Sequence, residues 1–85
     1  MPPLEPIKSP ALDLFSQRMT DLRHQRGWSQ EALAQKSGFH RTFIARIENK
    51  TTNPTLTSME RIAGAFNVPL TYFLAKQIDT SSLSI

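Results

Sequence analysis

Gly27 and Gly38 bracket a run, Trp28 to Ser37, with room for only about two turns of helix, and an equally short helical pattern follows from Arg41 to about Asn49. Helices this short are not stable in isolation, so tertiary packing must hold the pair at a fixed angle. The chain has 85 residues and no cysteine, which removes disulfides and cysteine-ligated zinc as staples. A packed helical core must therefore carry the fold, and the length suits a single domain.

Prolines at 2, 3, 6 and 10 remove amide donors and hold the backbone extended, which marks residues 1–8 as an N-terminal arm. The folded domain is expected over 9–76, with a Ser/Thr-rich tail over 77–85. Ser9 can cap a first helix with Pro10 at its first position, and Leu12, Phe15, Met19 and Leu22 recur at helical spacing up to about Arg26. Gly27 stops that helix, Trp28 is a candidate core anchor, and Ser29 caps a second helix whose buried side is Ala32, Leu33 and Ala34. The third helix, from His40 or Arg41, sets Ile44 and Ile47 on one face and Arg41, Thr42, Ala45 and Arg46 on the other. Thr55 caps a fourth with Leu56, Met59, Ile62, Ala63 and Phe66 aligned, and a short fifth offers Leu70, Phe73 and Leu74 to the core. No strand pattern competes, so the expected class is all-α, a compact five-helix bundle containing a helix-turn-helix.

Net charge is +3, but it is unevenly distributed. Residues 18–50 hold Arg18, Arg23, Arg26, Lys36, Arg41, Arg46 and Lys50 against only Asp21, Glu31 and Glu48, a basic middle that suits a polyanionic partner. His24 and His40 lack companion ligands for a metal, no glycine-rich phosphate loop is present, and no Ser/His/Asp spacing suggests an enzyme. No cofactor and no small-molecule effector is implied. With no apolar run of transmembrane length and no secretory leader pattern, a cytoplasmic protein is expected.

The two short helices have the spacing of a DNA-binding helix-turn-helix, and each diagnostic position has a mechanical role. Ala34 is small where the helices cross, Gly38 permits a turn at positive φ, and Ile44 and Ile47 pack under Leu33 to fix the angle. The run Trp28-Ser29-Gln30-Glu31-Ala32-Leu33-Ala34-Gln35-Lys36-Ser37-Gly38, then Arg41-Thr42-Phe43-Ile44-Ala45-Arg46-Ile47-Glu48-Asn49 and Asn53-Pro54-Thr55-Leu56, resembles the phage repressor and Cro family, also called the XRE family. The resemblance extends from about Leu12 to Leu74. It implies a lambda-repressor-like domain with the third helix as recognition helix in the major groove, Arg41, Thr42 and Arg46 being the base-reading positions. It further implies backbone contacts from Ser29 and Gln30 at the start of helix 2, and from Asn49, Lys50, Thr51 and Thr52 after helix 3.

Two other backbone candidates are Phe43, which can cover a sugar or pack on the following loop, and His40. The latter stands where similar proteins carry a Ser or Thr cap; histidine is a weak cap, and a charged ring could instead bind phosphate more tightly at acid pH. The resemblance also opposes Arg23 and Glu48 as a structural ion pair between the first and third helices. It implies a homodimer on an inverted-repeat operator in double-stranded DNA, with Tyr72, Ile78 and Leu83 as interface candidates. Ile85 is a further apolar residue without an internal home. The competing class is a protein-interaction module, such as an antitoxin or bridging factor, in which the arm or tail grips a partner.

Overall fold

The computed structural model describes residues 6–75. Its helices begin where short polar side chains can replace missing backbone partners. Ser9 Oγ accepts from Leu12 N–H (3.2 Å), Ser29 Oγ from Ala32 N–H (3.0 Å) and Thr55 Oγ1 from Ser58 N–H (3.1 Å). These caps open α1 (Pro10–Gln25), α2 (Gln30–Ser37) and α4 (Leu56–Phe66); α3 (Arg41–Glu48) and α5 (Leu70–Leu74) complete the fold. Among the described residues there is no strand, so the architecture is all-α.

The first four helices end in one way. One or two residues past each end the chain takes positive φ, and the next amide donates back to the last turn: Trp28 to Arg23 O, Phe39 to Ala34 O, Thr51 to Arg46 O and Val68 to Ala63 O, at 2.9 to 3.1 Å. The left-handed residues are Gly27, Gly38, Lys50 and Asn67. Glycine and asparagine tolerate this conformation, whereas lysine is strained in it. Lys50→Gly is therefore expected to stabilise the fold by about 0.5–1 kcal/mol, read as a raised urea midpoint at unchanged slope. An unchanged or lowered midpoint would mean that the lysine side chain contributes more than its backbone strain costs.

α2 packs on α3 and α4, α1 on α3 and α5, and α4 on α5. Between them lie Phe15, Met19, Leu22, Leu33, Ala34, Ile44, Ile47, Ile62, Ala63, Phe66 and Phe73. Phe73 links the first and fourth helices, with its ring 5.1 Å from Phe15 and 5.8 Å from Phe66. Trp28 is half-buried and stacks on Phe66 at 5.0 Å, and Ala32 is also only half-buried. Two expected core residues lie outside: Leu56 is 60% and Leu74 36% exposed. Each is at the end of its helix, where an apolar stripe runs past the neighbour it would pack against.

The residues just before α1 are docked. Ile7 N–H donates to Lys50 O (2.7 Å), which ties this segment to the loop after α3.

Candidate nucleic-acid interface

The angle between α2 and α3 is set from below by Leu33, Ala34, Ile44 and Ile47, all at most 2% exposed. At Gly38 the chain turns with φ +76, a backbone conformation that calls for glycine; a Cβ there would come 2.6 Å from Arg61 Nη2, the movable end of a flexible side chain. With Ile44 and Ile47 directed inward, helical geometry sends Arg41, Thr42 and Arg46 outward, and all three are exposed. Among the described residues the Arg46 guanidinium has no hydrogen-bond or ion-pair partner, and Arg41 makes only a long contact, Nη1 to Gln30 Oε1 at 3.5 Å. Two exposed guanidinium groups, one of them in long contact with Gln30, and a hydroxyl thus share one ridge.

Behind the ridge Arg23 and Glu48 meet. Arg23 Nε donates to Glu48 Oε2 (2.8 Å) and Nη2 to Oε1 (3.1 Å), while Nη1 donates to Trp28 O (2.7 Å). The two side chains are 10% and 11% exposed. Gln30 joins this group, its Nε2 donating to Glu48 Oε1 (3.2 Å) while its Oε1 faces Arg41. The carboxamide expected at a phosphate is thus held between the ion pair and the first residue of α3.

The remaining backbone candidates are arranged unevenly. Ser29 is exposed and occupied as a cap, and Asn49 is exposed beyond α3. Thr51 is half-buried, its hydroxyl turned to Arg46 O (3.4 Å), and Thr52 is also half-buried. Lys50 points its ammonium at Asp13 (3.3 Å), along α1 rather than along the outer face of α3. Phe43 packs its ring against Phe39 at 4.9 Å and is half-buried against the core. His40 corrects a sequence expectation: it does cap α3, with Nδ1 accepting from Thr42 N–H (3.2 Å). That bond uses a ring lone pair as the acceptor. Tyr72 is 41% exposed on α5, beside exposed Leu74; Ile78, Leu83 and Ile85 lie outside the described residues.

The basic middle of the sequence is also redistributed. Arg18 donates to Tyr72 O and Ala75 O at the end of α5 (2.7 Å each), and Arg26 donates to Phe66 O at the end of α4 (2.8 Å). Arg61, outside that stretch, donates to Ser37 O (3.1 Å) and Gly38 O (3.2 Å) at the end of α2. These arginines satisfy helix C-terminal carbonyls and favour the negative end of the helix dipole. Sequence reading missed these roles because the partners lie 23 to 57 residues away along the chain. Lys36 sits 4.8 Å from the Trp28 ring centroid, and Arg41 and Arg46 are the exposed arginines of α3. Among the described residues no cluster of three or more His, Cys, Asp or Glu is placed to hold a metal, and no helix is long and apolar enough to cross a membrane.

A five-helix all-α domain built around a glycine-hinged helix pair, with a basic outer face on the second helix of that pair, defines a helix-turn-helix protein. The chain belongs to the helix-turn-helix family HTH_3, which it matches over residues 20–73. It is 35% identical over 61 residues to the HTH-type transcriptional regulator SutR of Escherichia coli K12, covering 72% of this chain and 34% of SutR. The chain thus spans about a third of that relative's length. It is 34% identical over 65 residues to the control protein C.SmaI of Serratia marcescens, covering 76% of this chain and 77% of that one. The restriction-modification controller protein C.Esp1396I, solved as a tetramer in complex with its natural 35 base-pair operator, superposes with a TM-score of 0.72. Its identity is 35%, over 78% of this chain and 87% of that one.

Proposed function

We propose that the protein is a sequence-specific double-stranded DNA-binding transcriptional regulator that acts as a homodimer on an inverted-repeat operator, with α3 as the recognition helix in the major groove. The observation that carries this reading is the ridge of α3, where Arg41, Thr42 and Arg46 are exposed while Ile44 and Ile47 are fully buried beneath them. An arginine fork matches guanine O6 and N7 together, and the Thr42 hydroxyl or methyl suits a neighbouring base edge. Ser29 and Gln30 at the start of α2, His40 at the start of α3, and Asn49, Thr51 and Thr52 after it flank the ridge where the DNA backbone would pass. Lys50 joins them by releasing Asp13, and Phe43 serves by packing beneath. Tyr72 and Leu74 on α5 supply apolar surface for the partner copy, and two copies would set their recognition helices about 34 Å apart. The operator complex of C.Esp1396I, a relative of the same fold, supports this reading.

The test is enrichment from a pool of random duplexes at fixed salt. An inverted repeat with two half-sites about one helical turn apart is expected, with affinity that falls steeply as salt rises. A pool that shows no enriched sequence, together with salt-insensitive binding to a protein partner, would contradict the reading in favour of an interaction module.

A further inference from the structure

Arg61 belongs to α4, yet its guanidinium lies over the turn that joins α2 to α3. One nitrogen, Nη2, donates to the carbonyls of both Ser37 and Gly38 (3.1 and 3.2 Å). The same group lies 4.2 Å from the Phe39 ring centroid, a close cation–π approach. Phe39 in turn packs on Phe43 within α3, at 4.9 Å between ring centroids. The next residue after Phe39 is His40, whose ring caps the first turn of α3. One side chain thus grips the last carbonyls of α2 and, through the tilted Phe39–Phe43 ring pair, leans on the first turns of α3. Leu33, Ile44 and Ile47 set the angle of the two helices by burial, which is itself non-directional. Hydrogen bonds to two consecutive carbonyls add a directional constraint at the turn.

We propose that Arg61 is a positioning residue for base recognition: it fixes the orientation of α3 on α2, and hence the aim of Arg41 and Arg46, without itself touching DNA. The proposal rests on α3 being the reading element, and it deepens that reading by naming what holds the element in place. Lysine is not equivalent here, because a compact, strongly hydrated ammonium lacks the delocalised guanidinium that bonds both carbonyls while lying 4.2 Å from the Phe39 ring centroid.

The test compares wild type, Arg61→Gln and Arg61→Lys on two duplexes, the one enriched by the wild-type protein and the same duplex with its half-site bases permuted. The ratio of the two affinities does not depend on the fraction of protein that is folded. Both variants are expected to lose about tenfold of that ratio, the equivalent of one well-aimed arginine contact, with the salt dependence unchanged. If Arg61 were a phosphate contact, Arg61→Gln would weaken both duplexes equally, reduce the salt slope by about 1 and be largely rescued by Arg61→Lys, which overturns the proposal. A ratio unchanged in both variants also overturns it.

Hydrogen exchange gives a readout without DNA. In Arg61→Gln the amides of Phe43 and Ile44 are expected to lose protection about tenfold while those inside α1 keep theirs, and equal protection would contradict the role. A random pool from which the wild-type chain enriches no duplex, while Arg61→Gln still shows the exchange signature, would overturn the functional reading and the base-recognition role of Arg61, leaving only the hold on α3.

Discussion

Replacing Arg23 by alanine is expected to lower the unfolding free energy by about 3–5 kcal/mol, the cost of leaving a desolvated charge without its partner. The stranded group is Glu48, whose side chain is 11% exposed and which keeps only the amide of Gln30. Trp28 O loses its donor as well, just after the turn at Gly27. In a domain of this size each kcal/mol moves the melting temperature by roughly 4–8 °C, so a drop of more than about 10 °C should be seen by calorimetry. Replacing both partners, as in Arg23→Met with Glu48→Leu, should recover much of the loss, because a buried pair contributes little net stability once both charges are gone. A single-variant loss below about 1 kcal/mol would show that the pair behaves as an exposed one.

Arg46→Ala is expected to leave the fold intact and remove about 1–3 kcal/mol of base discrimination, flattening one or two positions of the selected half-site. Arg46 is exposed and has no partner among the described residues, so little stability depends on it. Arg18→Ala is the natural contrast. It removes two hydrogen bonds to the end of α5 and should reduce stability while the selected motif stays the same. Gln30→Ala stands between these cases. Loss of a phosphate contact weakens all duplexes alike, but the Gln30 carboxamide also faces Arg41, so preference at the base beneath Arg41 should blur. A selected motif that survives Arg46→Ala unchanged would contradict the assignment of the ridge.

Much of the fold is legible in the residues because its determinants are local. Ser9, Ser29 and Thr55 cap from within three residues, and Gly27 and Gly38 mark left-handed ends. The apolar stripe of α1 reads directly as Leu12, Phe15, Met19 and Leu22, all buried. The exceptions share a cause. Leu56 and Leu74 fit their stripes, yet helical periodicity cannot say where the opposing surface stops. His40 looks like a poor cap by residue type, but its Nδ1 reaches the amide two residues on. Lys50 stands where glycine is expected, with nothing local to announce positive φ. The largest gap concerns charge. A count of bases over 18–50 treats Arg18, Arg23 and Arg26 alike as free surface charge, whereas each bonds a backbone carbonyl. Only tertiary structure separates these carbonyl-bound arginines from Arg41 and Arg46 on the outer face of α3.

That separation offers the most direct test of the account. In a titration of the protein with the selected duplex, the side-chain Nε–Hε resonances of its arginines can be followed by NMR. Arg41 and Arg46 are expected to shift and saturate together with the duplex, while Arg18, Arg23, Arg26 and Arg61 stay near their free positions. Large shifts at Arg18 and Arg26 with Arg41 and Arg46 unmoved would place the DNA on another face and contradict the claim that α3 is the reading surface.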